Sequence, residues 1–62
     1  MNNENKMYVT AGEVASILGI SEGHAYKIIR MLNEELKTAG YLTIAGKVPV
    51  KYFEKRWYGF GA

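Results

Sequence analysis

Two helical patterns in this chain are separated by only two residues, Gly19 and Ile20. In "ASILGISEGHAYKIIR" (15–30) an apolar periodic segment stops at Gly19, and a second begins behind Ser21. A turn that tight makes two helices cross steeply and leaves the second one protruding. Few architectures accept that arrangement.

The first helix is marked by its own cap. In "VTAGEVASIL" (9–18) Thr10 is the N-cap and Glu13 follows three residues later, the spacing of a capping box. Val9 and Val14 stand at the spacing of a hydrophobic staple, and Val14, Ile17 and Leu18 form the expected apolar stripe. Gly12 weakens the first turn slightly, and Gly19 ends the helix in a left-handed conformation. Ala15 is small where the helices approach, while Leu18, Ala25 and Ile28 close the core between them, with Ile20 tucked beneath.

Ser21 caps the second helix, which the periodicity places from Glu22 to Ala39. Ala25, Ile28, Ile29, Leu32, Leu36 and Ala39 share one stripe at about 100° per residue. Gly40 is the expected stop, with Leu36 and Tyr41 at the spacing of a Schellman contact.

Past Gly40 the pattern changes. "YLTIAGKVPV" (41–50) predicts a short hairpin about Ala45–Gly46, with Leu42 and Ile44 inward and Thr43 outward. Pro49 bars a long second strand but suits the first turn of a helix. "VKYFEKRWYG" (50–59) predicts a final helix that packs Phe53 and Trp57 on the core. The order is helix, turn, helix, hairpin, helix: a mainly α chain with a small β-hairpin, a winged helix-turn-helix. Residues 1–6 are expected as a disordered tail and 7–62 as one domain, ending loosely in "GFGA".

Composition limits the chemistry. A 62-residue chain buries only about 60% of its unfolded surface, so its core is marginal. No cysteine is present, which fits a reducing, cytoplasmic setting, and the single histidine, His24, cannot build a zinc site without carboxylates alone. The polar start "MNNENKM" reads as neither signal peptide nor membrane anchor. No nucleophile–base set, carboxylate pair, phosphate-cradling loop or cofactor motif is visible, so an enzyme is the least favoured class. Charge is uneven. Residues 1–20 carry Lys6 against Glu4 and Glu13, a net of −1, whereas 41–62 carry Lys47, Lys51, Lys55 and Arg56 against Glu54, a net of +3. A basic half points first to nucleic acid, or else to a surface charged for solubility.

The second helix offers the contact face. Opposite its apolar stripe lie Gly23, Lys27, Arg30 and Glu34, flanked by Tyr26, His24 and Met31. In helix-turn-helix docking the N-terminal residues of this helix meet base edges in the major groove. Arg30 can clasp guanine O6 and N7 or a phosphate, and Lys27 suits either. Ser21 and the amides beside it can hold a phosphate, and Gly23 leaves room at the groove floor. Tyr26 reads as a thymine or phosphate contact, or as a satellite of the core. His24 reads as a contact or a capping residue. Glu22 can accept from cytosine or favour the helix dipole. Glu34 and Glu35 read as exposed acids where the helix leaves the DNA. Lys47, after the turn, suits a wing-tip phosphate or guards an edge strand. Lys51, Lys55 and Arg56 extend the basic track or form a solvated face.

Residues 8–53, and within them "VTAGEVASILGIS", "AYKIIRMLNEELKTAGYL" and "GKVP..YF", resemble small winged helix-turn-helix proteins of the excisionase and MerR-like DNA-binding superfamily. More narrowly, they resemble the short regulators carried by phages, plasmids and integrative elements of Gram-positive bacteria. The resemblance implies sequence-specific binding of double-stranded DNA, with Ser21, Gly23, His24, Tyr26, Lys27 and Arg30 on the helix and Lys47 on the wing. Relatives place a basic residue directly after the proline; this chain has Val50, with Lys51 as the substitute. The long coiled coil and effector domain of full MerR regulators are not in this sequence, so small-molecule sensing is not implied. No cofactor is implied. The expected function is a small transcriptional regulator or excisionase of a mobile element, cytoplasmic and nucleoid-associated, binding DNA as cooperating copies. The tail "RWYGFGA" is the candidate contact between copies. The alternative is a protein-interaction module that serves an integrase or replication protein with the same fold.

Overall fold

A strand passes into a helix with no residue between them at the start of the fold. The computed structural model describes residues 7–57, and there β1 (Tyr8–Thr10) runs straight into α1 (Ala11–Leu18). Thr10 ends the strand in extended conformation, and its Oγ1 accepts from the Glu13 amide at 3.2 Å. Glu13 Oε1 accepts in return from the Thr10 amide at 2.8 Å, completing the capping box. Such a cap stabilises a helix by about 1 kcal/mol. Val9 and Val14, on either side of it, are both buried.

The buried face of α1 consists of Ala11 and Val14, with Ala15 and Leu18 packed against the core beside them. Ile17 does not belong to it and is about half exposed (47%). The expected stripe chose the wrong flank of Val14: Ala11, Ala15 and Leu18 lie on one side of it, Ile17 on the other. Gly19 then reverses the chain at φ 69°, and the amides of Gly19 and Ile20 both donate to the Ala15 carbonyl, at 2.8 and 3.0 Å.

Ser21 opens α2 (Glu22–Thr38), its Oγ accepting from the His24 amide at 3.1 Å. Ala25, Ile28, Ile29, Leu32 and Leu36 are buried against α1 and the sheet. The helix ends in a Schellman motif. Gly40 stands at φ 98°, its amide donates to Lys37 O (3.0 Å), and the Tyr41 amide donates to Leu36 O (2.9 Å). Ala39, expected in the stripe, is the C-cap and exposed, and Tyr41 is 63% exposed.

The sheet is not the expected hairpin. β2 (Lys47–Pro49) pairs antiparallel with β1, in the register Tyr8↔Pro49, Val9↔Val48 and Thr10↔Lys47. The other arm, 42–44, forms no strand; one bridge joins Ile44 to Lys47, whose amide donates to Ile44 O at 3.1 Å. Leu42 (96% exposed) and Ile44 therefore point outward, against expectation. Val9 and Val48, opposite each other and both buried, already fill the core side of the sheet. The wing is thus a tight turn in front of β2, with Gly46 at φ 79°.

α3 (Val50–Arg56) follows at once, with Pro49 as its N-cap rather than in its first turn. The Val50 amide donates to Met7 O at 2.8 Å, tying the start of α3 to β1. Phe53 is fully buried, and Trp57 stacks on it with ring centroids 6.0 Å apart. Burying a side chain such as Phe53, Ile29 or Leu32 contributes about 1.5–3 kcal/mol. The helix expected to run to 59 stops at Arg56, because Trp57, its C-cap, is already extended (φ −101°, ψ 102°). Residues 1–6 and 58–62 lie outside the described residues. The described residues are mainly helical, three helices with a two-stranded antiparallel sheet, in agreement with the winged helix-turn-helix expectation. No helix among the described residues is long and apolar enough to cross a membrane.

Candidate nucleic-acid interface

Burying Ala25, Ile28, Ile29 and Leu32 forces the opposite face of α2 outward. Gly23, His24, Tyr26, Lys27 and Arg30 are all exposed, as is the capping Ser21. The Ser21 hydroxyl oxygen is occupied by its cap, which leaves its proton free to donate outward. An ideal Cβ at Gly23 would meet nothing within 4 Å among the described residues, so none of them requires a glycine there.

Tyr26 and Arg30 form one wall of a cleft of about 600 Å³, together with Asn33, Glu34 and Lys37. The wing turn, through Thr43, Ala45 and Gly46, forms the other wall. The ring of Tyr26 lies close to the wing turn, where a Cβ added at Gly46 would stand 3.4 Å from Tyr26 Cε1. Tyr26 is thus an exposed residue beside the wing. Lys47 follows Gly46 and is exposed at the start of β2. The fold therefore gathers Tyr26, Arg30 and the turn that carries Lys47 about one cleft.

Lys51 stands apart from it. With Lys55 it lines a second groove, about 560 Å³, against Tyr8, Tyr41, Leu42 and Tyr52. Arg56, a third candidate for the basic track, is engaged within the molecule. Its Nε donates to Glu35 Oε1 at 2.8 Å and its Nη2 to Oε2 at 2.7 Å. Tyr52 adds a hydroxyl donor to Glu35 Oε1 at 2.6 Å. Arg56, and then Tyr52, hold the Glu35 carboxyl down at about 2, and Glu35 in turn raises the Tyr52 hydroxyl. Glu35, expected as a free exposed acid, is the partly buried anchor of α3. Glu22 Oε2 lies where a Cβ on Gly12 would approach it to 3.0 Å, so this carboxylate reaches back over the first turn of α1. That position favours its role at helix dipoles over a contact with cytosine.

Sequence reasoning missed Asn33. It is 9% exposed, and Nδ2 donates to the carbonyls of Ile44 and Lys47, each at 3.0 Å. The available signal was its place four residues after Ile29, a polar residue on the edge of the apolar stripe.

No protein-family model matches the sequence, and no solved structure matches it. The chain is 42% identical over 48 residues to the ICEBs1 excisionase of Bacillus subtilis (strain 168), an alignment that covers 77% of this chain and 75% of the relative. With its fold also as the residues led one to expect, the chain belongs to the excisionase family.

Proposed function

We propose that this protein is an excisionase of a mobile element that acts by binding double-stranded DNA, with α2 in the major groove and the wing on the adjacent groove. Such a protein sets the direction of recombination by shaping the DNA complex, while a partner recombinase breaks the strands. The observation that carries the reading is the outward face of α2, where Gly23, Lys27 and Arg30 stand exposed, with Arg30 across a cleft from the wing turn that leads into Lys47. Arg30 offers a bidentate fork to guanine, Lys27 and Lys47 offer charges to phosphates, and Ser21 with its neighbouring amides offers donors at a helix N-terminus. Gly23 admits the groove floor, His24 and Tyr26 flank it, and Lys51 extends the charge on α3. The same binding at a promoter of the element would make the protein a transcriptional regulator. A single module of this kind buries roughly 600 to 1,000 Å² on DNA, which favours several copies on repeated or paired sites.

The test is selection from random duplexes at several salt concentrations, with wild type and the Lys27→Ala/Arg30→Ala variant. A motif that the double variant loses supports the reading; equal, weak and unselective binding by both removes it. A second reading, docking on an integrase or replication protein, is supported by the second groove, where Leu42 is 96% exposed beside Tyr41 and Lys51. In that case binding to the partner survives the Lys27→Ala/Arg30→Ala change.

A further inference from the structure

We propose that Asn33 is the wing-positioning residue of this DNA-binding surface, the side chain that determines where Lys47 and the Gly46 turn stand relative to α2. The inference rests on the DNA-binding reading above and names the residue through which helix and wing act as one surface.

Apart from the β1–β2 pairing, which holds Lys47 opposite Thr10, and the Tyr26 ring beside Gly46, little else holds the wing turn. Tyr41, Leu42, Ile44, Ala45 and Lys47 are all exposed, and the turn closes on itself through one bridge, Ile44↔Lys47. Asn33 reaches both ends of that turn from α2. Its Nδ2 donates to Ile44 O and to Lys47 O, each at 3.0 Å, so the two carbonyls that flank the turn are tied to a single nitrogen. Both partners are acceptors, which settles how the amide is oriented: only the NH2 group can face them. The consequence is visible on its other side, where Oδ1 is buried without a hydrogen-bond partner among the described residues. A buried acceptor left unmade is costly, so this site favours a side chain with two donors on one atom even at that cost. Among neutral side chains only the amides of Asn and Gln provide that, and Gln is one methylene longer. Asn33 also lines the cleft together with Tyr26 and Arg30, placing the tether inside the surface whose two walls it joins.

The experiment uses the duplex selected by wild-type protein and compares wild type, Asn33→Leu, Lys47→Ala and the double variant. Two quantities are read on folded protein: the slope of log affinity against log salt, and hydroxyl-radical protection of the phosphates beside the wing. Losing one phosphate contact lowers the slope by about one. Asn33→Leu is expected to lose the wing protection and that increment of slope while keeping the protection due to α2. Adding Lys47→Ala to it is expected to change neither further, since both act on one contact. A role in stability alone would lower the folded fraction but leave slope and footprint as in wild type, and that result overturns the proposal. If Asn33→Leu does not fold, wild type decides. Scalar couplings across the hydrogen bonds from Asn33 Nδ2 to the Ile44 and Lys47 carbonyls are expected to persist in the DNA complex, and their loss on binding overturns it. Should wild type select no duplex at all, the DNA-binding reading fails, and this inference fails with it.

Discussion

Arg56 grips Glu35 with two parallel hydrogen bonds, Nε to Oε1 at 2.8 Å and Nη2 to Oε2 at 2.7 Å, and so ties the end of α3 to the last turn of α2. The Glu35 carboxyl is held at about 2, below its ordinary 4.5. A carboxyl depressed in the fold contributes stability that is fully present above the unfolded value and is lost as pH falls towards the folded one. Urea midpoints are therefore expected to fall as pH drops from about 4.5 to about 2, and Glu35→Gln should flatten that part of the profile. Tyr52, whose hydroxyl is raised by the same carboxylate, contributes in the opposite sense. Its share is present below pH 10 and is lost above it, and Tyr52→Phe should remove that alkaline slope.

Phe53 is fully buried beneath the stacked Trp57. Its replacement by alanine is expected to cost about 3–5 kcal/mol. A domain of 62 residues has roughly 3 to 9 kcal/mol in total, so Phe53→Ala should lose a large share of its stability, read as a strongly lowered urea midpoint by circular dichroism.

Gly23 separates stability from function. Nothing lies within 4 Å of an added Cβ, so Gly23→Ala should raise stability by about 0.5–1 kcal/mol through helix propensity. The same methyl group intrudes where α2 is proposed to meet the groove floor, so DNA affinity should fall while the urea midpoint rises. Unchanged affinity would place Gly23 away from the DNA.

Gly19 and Gly46 both stand at positive φ, 69° and 79°. Alanine at either is expected to cost about 1–2 kcal/mol for the left-handed conformation. Only at Gly46 does the new Cβ also come within 3.4 Å of Tyr26, so Gly46→Ala should shift the Tyr26 ring resonances, and Gly19→Ala should not.

The copies expected on DNA can be counted. Native mass spectrometry on a duplex with one half-site and on one with two should show tight binding only to the second. Tight one-to-one binding to a single half-site would remove the cooperative reading. Arg56 and Trp57, proposed with the tail as a contact between copies, are engaged inside the molecule, with Glu35 and with Phe53. The remaining tail residues lie outside the described region.

Much of this chain could be read without a structure because its helices are closed locally. Thr10 with Glu13, Ser21 with the His24 amide, Gly19, and Gly40 with Leu36 and Tyr41 each act within six residues, and a cap is a short-range hydrogen bond that residue order alone specifies. The outward face of α2 followed from the same periodicity, once the buried stripe was known.

What residue order left open depends on which distant segments meet. The pairing of Tyr8–Thr10 with Lys47–Pro49 joins strands of three residues, too short to carry a period, and their partners are chosen by burial of Val9 against Val48. The outward turn of Leu42 and Ile44 follows from that choice. Asn33 reaches 11 and 14 residues ahead for its two carbonyls, and Glu35 reaches 21 for Arg56. Hydrogen bonds of that span form only after the core has brought the segments together. The sequence by itself therefore determined two capped helices, the tight turn between them and the exposed face of the second. The tertiary structure alone decided how the wing and α3 are held against it, because those contacts are between segments with no local relation.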